Sequence, residues 1–399
     1  MDDNQTNVIG SKNIPITQKR EPTKHGLKFK SNGDDTCNLI GTGFFLKDDF
    51  IVIPEEYKGM RVTGIGNEAF KDCLKATKIF IPNSITSIGN SAFKDCKNLT
   101  AITIPHTVTE IGTEAFSGCS GLTTLSVPQS VTRIGEGAFS GCSSLASIIL
   151  PFVGGSDQTT TANSSTLFGY VFGRTRFNDS KGIRQFHALC RYDDYYIPKT
   201  LSYVTITGGS LLFGAFSGCS CLTGVLLDES VTSIGYKAFY NCAELLSITI
   251  PNTVTVIKGE AFSGCTGLTS VTIPESVTNI GYKAFSGCTG LEEVSVAETM
   301  KNLGKKTFYG CKSLKTFIIP DKAKNIGEAL FWDCSNLSSI TIGKAVSSIE
   351  KDAFFGCVAL KNISYNGTIE EWNAINKSSD WNHNIPAKEV VCSDGAVSL

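Results

Sequence analysis

The stretch VTSIGYKAFYNCAELLSITIP, residues 231–251, contains the motif from which the chain is built. Its order is Ile-Gly, then Ala-Phe, then Cys, then a short Leu and Ile strand that ends at Pro. The same order recurs with a step of 23 residues inside two blocks. A fixed period in this range indicates a solenoid, because each unit buries its apolar side only by stacking on the next. The Phe positions are Phe70, Phe93, Phe116 and Phe139, and then Phe216, Phe239, Phe262, Phe285, Phe308, Phe331 and Phe354.

A Cys lies three residues after each of these Phe residues, so eleven of the fifteen Cys share one repeat position. Equivalent residues of stacked coils lie roughly 4.8 Å apart, which is near the disulfide range. Because their side chains point the same way, a regular column offers no unique pairing. The spacing therefore predicts buried, reduced thiols that pack as small hydrophobic groups, with disulfide bonds as the alternative. The column comprises Cys73, Cys96, Cys119, Cys142, Cys219, Cys242, Cys265, Cys288, Cys311, Cys334 and Cys357.

Composition excludes some classes of protein. The chain has 399 residues, a formal net charge of −1 and 41 % hydrophobic residues. This balance does not favour nucleic-acid binding, which uses a basic stripe. No apolar run reaches the ~18 residues of a membrane helix, and the polar N-terminus lacks the apolar segment of a secretory signal. We expect no membrane span, and either a cytoplasmic location or a leader that is missing from the sequence.

The repeat predicts four regions along the chain. Residues 1–25 are polar and aperiodic, which predicts a disordered segment or linker. Residues 26–50 alternate like strands and predict an N-terminal cap, because an apolar solenoid end needs a cover. The solenoid is predicted over residues 51–365. Residues 366–399 contain two Trp and an Asp-Gly turn, and they are predicted to form the C-terminal cap.

Each regular unit predicts two short extended segments and one turn of helix. Pro ends the first strand because it cannot donate a ladder hydrogen bond, and Gly after the second segment permits a tight bend. The AFxxC segment predicts roughly one helical turn. The predicted fold class is therefore an α/β solenoid, rich in short strands, with short helical turns and a cap at each end.

The period fails between Pro151 and Phe216. We predict that residues 152–200 form one or two irregular coils with insertions, inside a continuous solenoid. The segment holds nine aromatic and four Arg residues, and Tyr and Arg are enriched at the centres of binding surfaces. Two interpretations remain: the rings fill an irregular core, or they form an exposed recognition loop. The candidate protein-binding residues under the second interpretation are Tyr170, Arg174, Arg176, Arg184, Arg191, Tyr192, Tyr195 and Tyr196.

The repeat explains the motifs that could indicate catalysis or ligand binding. Residues 64–69 match GxGxxA, but other units carry SIGNSAF and EIGTEAF at the same place, which argues against a dinucleotide loop. His187 and Cys190 form HxxC without the paired spacing of a four-ligand zinc site. No Ser or Cys lies in a nucleophile-elbow context. We expect no enzyme activity, no cofactor and no metal.

The pattern LxxIxIPxxVxxIGxxAFxxCxx, over about residues 50–365, closely resembles the BspA-like (Treponema-type) leucine-rich repeat family. The flanking GLKF…IVIP and YNGTIEEWNAI…VVCSDG segments also resemble the caps of bacterial members. The resemblance implies a right-handed leucine-rich-repeat solenoid at a bacterial cell surface or in secreted form. Some relatives bind host proteins such as fibronectin and fibrinogen, aid adhesion or mediate co-aggregation. The family shares no catalytic or ligand-binding residues, so none is transferred.

We therefore expect a non-catalytic, monomeric solenoid that binds a protein, in adhesion or in binding of a host extracellular-matrix or serum protein. The resemblance implies cell-surface or secreted localisation. The missing leader favours the first alternative, an intracellular interaction scaffold in the cytoplasm. The second alternative, an accessory module of a surface enzyme, has no supporting group of residues.

Overall fold

The computed structural model describes residues 21–23, 26–43 and 48–399, so most of the predicted disordered segment 1–25 lies outside the described residues. Each coil begins with a main strand of two to four residues that runs parallel to the main strands of neighbouring coils. The main strands are Phe50–Val52, Lys78–Phe80, Ala101–Thr103, Thr124–Ser126, Ser147–Leu150, Tyr203–Ile206, Gly224–Leu227, Ser247–Ile248, Ser270–Ile273, Glu293–Val296, Thr316–Ile319, Ser339–Ile342, Asn362–Tyr365 and Glu389–Cys392.

A second column of shorter strands forms the other β-face of the stack. These minor strands also pair in parallel, with a buried Ile or Leu in register from coil to coil. They are Met60–Ile65, Ser87–Ile88, Glu110–Ile111, Arg133–Ile134, Ser233–Ile234, Val256–Ile257, Asn279–Ile280, Asn302–Leu303, Asn325–Ile326, Ser348–Ile349 and Asn376–Lys377.

Irregular elements lie at the two ends of the stack and at its centre. The N-terminal pair Leu27–Ser31 and Thr36–Thr42 is antiparallel, and its second strand continues the minor column. At the other end, Gly395–Ser398 pairs with the last main strand, and Trp372 and Trp381 are buried. The remaining elements are the strands Glu56–Tyr57, Ser180–Ala188 and Arg191–Pro198, the 3₁₀ helices Ser164–Thr166 and Phe168–Phe172, and the α-helix Ile369–Ala374.

The AFxxC segment is a series of overlapping turns. In the Phe262 coil, Glu260 and Gly264 have left-handed backbone angles, with φ of 53° and 77°. The amides of these residues and of Phe262 donate to carbonyls of the next coil at 2.7–2.8 Å, whereas the amide of Cys265 bonds back within its own coil. The prediction of a helical turn is therefore wrong, because the left-handed residues direct alternate amides toward the neighbouring coil. The α/β class is corrected to a β-solenoid with few helices.

The buried Phe rings form the core of each block of coils. Phe239 and Phe262, for example, stack with centroids 5.2 Å apart and an interplanar angle of 5°. Each ring is fully buried and is surrounded by columns of Ile, Leu, Val and Ala from both β-faces. Offset-stacked rings contribute beyond the burial of their area, so the Phe column stabilises the spacing between coils.

The Cys column packs beside the Phe column with free thiols, as the spacing predicts. In nine coils the thiol donates to the carbonyl of the Phe one coil earlier, as Cys265 does to Phe239 at 3.1 Å. A thiol is a weak donor on a small apolar side chain, so it suits a carbonyl that would otherwise face the core. Burial raises the pKa of the Cys142 thiol to about 12.

Thiol labelling tests this arrangement. Cys190 is exposed and Cys221 is half-buried, whereas the column residues are buried. Since a buried, protonated thiol reacts slowly, we expect iodoacetamide to modify Cys190 first in the native protein, and Cys221 more slowly. All fifteen Cys should react in denatured, non-reduced protein. Mass spectrometry that finds most thiols blocked in the denatured, non-reduced sample would contradict the reduced column.

The pH dependence of stability gives a second test. Burial raises the pKa of the Cys265 thiol well above its ordinary 9.0. Its contribution to stability is therefore complete below the unfolded-state pKa and is lost as the pH rises toward the folded-state pKa. Cys265→Ser keeps a donor for the same carbonyl but does not titrate. Between about pH 8 and about pH 10, its free energy of unfolding should fall by about 1.4 kcal/mol less than that of wild type. Urea titrations that give both proteins the same loss would contradict this role.

Candidate protein-binding surface

The irregular segment lies between two main strands that pair directly. Ser147–Leu150 is in parallel register with Tyr203–Ile206, although Ser147 and its partner Tyr203 are 56 residues apart in sequence rather than 23. Residues 152–200 therefore contribute one coil to the stack and a long insertion that leaves it. We refer to residues 152–200 as a whole as the excursion.

Aromatic residues at the start of the excursion continue the core. The 3₁₀ helix Phe168–Phe172 places its last ring 6.3 Å from Phe139 and its first ring 4.9 Å from Phe216. The amide of Phe139 donates to Val171 on one side, and the amide of Phe168 donates to Ala215 on the other. For Phe168 and Phe172 the core-filling interpretation agrees with the structure.

Gln185 completes this coil from the excursion. Its side chain is fully buried. Its Oε1 accepts the Gly169 amide at 2.6 Å, and its Nε2 donates to the Ala215 carbonyl at 3.1 Å. The same Nε2 lies 3.6 Å from Cys219 Sγ, in a coil where the thiol lacks the regular Phe partner. Gln185 could not be identified from the sequence, because a single Gln in a polar segment does not indicate that its side chain is buried.

After Gly173 the chain forms an antiparallel hairpin of Ser180–Ala188 and Arg191–Pro198. We refer to these two strands and their turn as the hairpin. Directly opposed residues share a face, so its two faces differ. Ile183, Gln185 and Tyr195 point inward and are buried, whereas the opposite face carries half-buried or exposed side chains. Apart from the buried pair Ser180 and Pro198 at the base, this outer face consists of Gly182, Arg184, Phe186, Tyr192, Asp194 and Tyr196.

The structure places the candidate Tyr195 inside the protein. Its hydroxyl donates to the Ser164 carbonyl at 3.0 Å, and a Cβ atom at Gly169 would lie 2.5 Å from its side chain. Burial raises the pKa of the Tyr195 hydroxyl. Tyr195 therefore supports the hairpin from below, and a partner cannot reach it without displacing the hairpin.

Arg174 joins the hairpin to the regular coil before it. Its guanidinium lies 3.2 Å from Glu136 and 3.0 Å from Asp193, and 5.5 Å from the centroid of the Tyr195 ring. His187 Nε2 is 3.3 Å from the same Asp193 carboxylate. Arg174 is thus committed to internal contacts, although its side chain is about half exposed.

Arg184 and Tyr192 form the centre of the outer face. The guanidinium donates to both carboxylate oxygens of Asp194, at 2.9 and 3.1 Å, and lies 4.1 Å above the Tyr192 ring. This hydrogen bonding lowers the pKa of the Asp194 carboxyl. Tyr192 remains 48 % exposed. Tyr196 lies on the same face four residues further along the strand, over Gly182. These residues present a fixed, aromatic and charged surface to solvent.

The other candidates lie around this centre. Arg176 and Arg191 are exposed at opposite ends of the hairpin, and no ion pair within the described residues holds either one. Tyr170 is half-buried in the 3₁₀ helix beneath the hairpin, where burial raises the pKa of its hydroxyl. The structure therefore brings Arg184 and Tyr192 into contact and places Tyr196 on the same face, whereas Tyr170 and Tyr195 lie beneath that face.

Aromatic residues of the regular coils extend the outer face, and they are not among the candidates predicted from the sequence. Phe186 packs edge-on against Tyr240 with centroids 6.1 Å apart. The Lys237 ammonium lies 5.0–5.6 Å from the rings of Phe186, Tyr236 and Tyr240 and 3.4 Å from Glu260. The sequence could have indicated Tyr240, because most regular coils have Ser or Lys at the position after the buried Phe.

The main-strand face offers a different kind of surface. A shallow groove of about 940 Å³ crosses three coils there. Small hydroxyl side chains line most of it, including Ser247, Thr249, Ser270, Thr272 and Ser295. Such a lining matches a solvated β-face and lacks the large aromatic and Arg side chains that dominate binding energy.

The described residues hold neither a metal-ligand cluster nor a membrane-spanning helix. No three His, Cys, Asp or Glu side chains come together as a metal site within residues 21–23, 26–43 and 48–399. In the same part of the chain, no helix has the length and apolarity that spanning a bilayer requires.

The repeated pair of parallel strands, with a Phe and a Cys column between them, defines the class of protein as a leucine-rich-repeat solenoid. The family described as the BspA type leucine-rich repeat region matches in six copies, over residues 63–171, 186–282 and 257–378. These ranges cover well over half of the chain, and the protein belongs to this family.

Several solved structures are similar to the chain. A leucine-rich cell surface protein of Faecalibacterium prausnitzii A2-165 is 27 % identical, covering 90 % of this chain and 97 % of that one, with a TM-score of 0.36. A leucine-rich repeat protein of Bacteroides ovatus ATCC 8483 is 22 % identical, covering 90 % and 98 %, with a TM-score of 0.40. The pneumococcal vaccine antigen PcpA is 18 % identical, covering 94 % and 98 %, with a TM-score of 0.35. None of the curated proteins compared with the chain matches it. These TM-scores are low, so membership of the family rests on the sequence match.

Replacing Gln185 by Leu tests how the hairpin is attached. The change removes the partner of a buried Gly169 amide, and an unsatisfied buried donor costs about 1–3 kcal/mol. We expect the free energy of unfolding to fall by that amount in urea titrations, and limited trypsin digestion to cut the hairpin faster. Arg191→Leu, at the exposed tip of the same hairpin, should change stability by less than about 0.5 kcal/mol. Equal stability of Gln185→Leu and wild type would contradict the bridging role.

Proposed function

We propose that this protein is a non-catalytic interaction solenoid that binds another protein through the outer face of the hairpin. Adhesion, or binding of a host extracellular-matrix or serum protein at a bacterial surface, is the setting that the family suggests. The hairpin face is the recognition element, and the regular coils are the scaffold that holds it.

One observation carries this proposal. In regular coils, equivalent residues of consecutive main strands are 23 residues apart in sequence. Across residues 152–200 this separation is 56 residues. The extra chain forms a hairpin whose outer face concentrates Arg184, Tyr192 and Tyr196. Such residues dominate the energetics of protein interfaces. Core filling accounts for the inward face of the hairpin, but it does not require these residues on the outer face.

The rigidity of this face supports the same function. Arg184 is held by two hydrogen bonds to Asp194 and by the Tyr192 ring. Phe186 is held between Tyr192 and Tyr240, with ring centroids 6.0 and 6.1 Å away. A surface whose side chains are already ordered loses less conformational entropy when a partner binds. The hairpin is therefore suited to binding without rearrangement.

The experiment compares a hairpin variant with a variant of the main-strand face. Fibrinogen and fibronectin are immobilised separately, and binding of the purified chain is measured by surface plasmon resonance. For at least one of them, Arg184→Ala/Tyr192→Ala should weaken binding about tenfold or more, because both side chains lie at the centre of the proposed interface.

The matched control is Lys78→Ala/Phe80→Ala, which removes one cation and one ring from the main-strand face. It should bind like wild type, and circular dichroism should show that both variants remain folded. If the hairpin variant binds fibrinogen and fibronectin as tightly as wild type, or if neither protein binds the wild-type chain, the proposed binding of these host proteins fails.

A further inference from the structure

The hairpin and its flanks carry an excess of positive charge. Residues 174–199 contain six Arg and Lys against three Asp, which gives a net charge of +3 in a chain whose total is −1. Two of the acids are engaged internally, Asp193 with Arg174 and Asp194 with Arg184. The excess charge therefore belongs to side chains that the protein does not neutralise.

Four of the cations are exposed and free of ion pairs within the described part of the chain, and they lie at the two ends of the hairpin. Arg191 follows the turn, whereas the others lie at the base, where the register of the strands begins. By strand alternation Lys181 shares the face of Ile183 and Arg191 that of Tyr195, so both are exposed at the ends of the hairpin rather than on its outer face. The register from Ser180 to Ala188 covers eight residue steps, which corresponds to about 26 Å. The four residues are Arg176, Lys181, Arg191 and Lys199.

The surface between these ends is aromatic and already neutral in charge. Arg184 is paired with Asp194 and lies over one side of the Tyr192 ring. On the adjoining coils, Lys237 is paired with Glu260 and surrounded by rings, with its side chain only 14 % exposed. The centre thus offers Tyr192 and Tyr196 for stacking, and the two ends offer positive charge.

We infer that the partner presents an extended acidic protein segment of at least about eight residues, with carboxylates toward both ends of the hairpin and aromatic or apolar side chains over Tyr192 and Tyr196. This inference rests on the proposed function and names the chemistry of the partner. Complementary charge aligns the segment and raises the rate of association, and ring contacts at the centre supply specificity.

The test uses polymers as probes. A random copolymer of glutamate and tyrosine is titrated against the protein at low ionic strength, in parallel with polyglutamate of the same length and with heparin. The copolymer should bind more tightly than polyglutamate, because only it can stack on Tyr192. Its affinity should fall as salt is added, because exposed charges are screened.

Two charge-matched variants locate the site. Arg176→Ser/Lys181→Ser/Arg191→Ser removes charge from both ends of the hairpin and should weaken copolymer binding about tenfold or more. The control Lys301→Ser/Lys322→Ser/Lys324→Ser removes the same charge from exposed positions on distant coils, and it should bind like wild type. Equal weakening in both variants would show binding by net charge alone and would overturn the inference.

The remaining outcomes separate the two proposals. Heparin is the competing ligand. If heparin binds more tightly than the copolymer, and Arg176→Ser/Lys181→Ser/Arg191→Ser weakens heparin binding about tenfold or more, the site is a sulfated-glycan surface and the acidic-protein partner is overturned. If Arg184→Ala/Tyr192→Ala loses fibrinogen or fibronectin binding but the copolymer does not bind, the proposed function stands and this inference fails. If the copolymer binds as expected while neither host protein does, the acidic-segment site stands and the choice of host partner fails.

Discussion

Each coil has to pair its backbone with the coils on both sides, and the turns around the buried Phe carry much of this pairing. A helical turn would direct every amide along its own axis, which would leave the neighbouring coil without donors. Left-handed residues two positions before and two positions after the Phe avoid this, as Glu260 and Gly264 do around Phe262. A non-Gly residue in this conformation costs about 1–2 kcal/mol. Three hydrogen bonds between coils, at about 0.5–1.5 kcal/mol each, together with the stacked rings, offset that cost in the Phe262 coil.

The columns of the solenoid could be predicted from the sequence, because identical residues at one period must stack. The conformation of the turns could have been predicted only in part. The position two residues after the Phe is Gly, Asn or Asp in every regular coil, which are the residues that tolerate left-handed angles. The position two residues before the Phe is occupied by residues such as Glu260, Lys237 and Ala329, whose types do not indicate a left-handed conformation. The AFxxC spacing instead matches an amphipathic helical turn, and that match produced the wrong prediction.

The composition of the excursion can be read from the sequence, but which of its side chains form the surface could not be predicted from it. Tyr and Arg indicated a binding surface, but which of them face outward depends on strand register, and a shift of one residue exchanges the two faces. The register is disturbed between Phe186 and Ala188, next to the turn, where the sequence lacks a strong hairpin signal. Tyr195 therefore points inward and Tyr196 outward although they are neighbours. Gln185 faces the core because of the same register, and its amide then replaces contacts that a regular coil obtains from its backbone and its Cys.

Departures from the repeat carry more information about surfaces than the repeat itself. The residue after the buried Phe is Ser in five of the regular coils. Three of these Ser residues are half-buried, whereas Ser217 and Ser286 are buried, and the Ser217 hydroxyl accepts the Phe186 amide of the hairpin. It is aromatic in four coils. Tyr240 contacts Phe186 of the hairpin, whereas Tyr309, Trp332 and Phe355 form a row of ring contacts that ends at His383 near the C-terminus. Packing inside a coil cannot account for this choice, since the coils with Ser have the same core. Tyr240 and Phe355 follow instead from the need to anchor segments that the solenoid does not hold through its strands, and this anchoring gives the hairpin a fixed position on the stack.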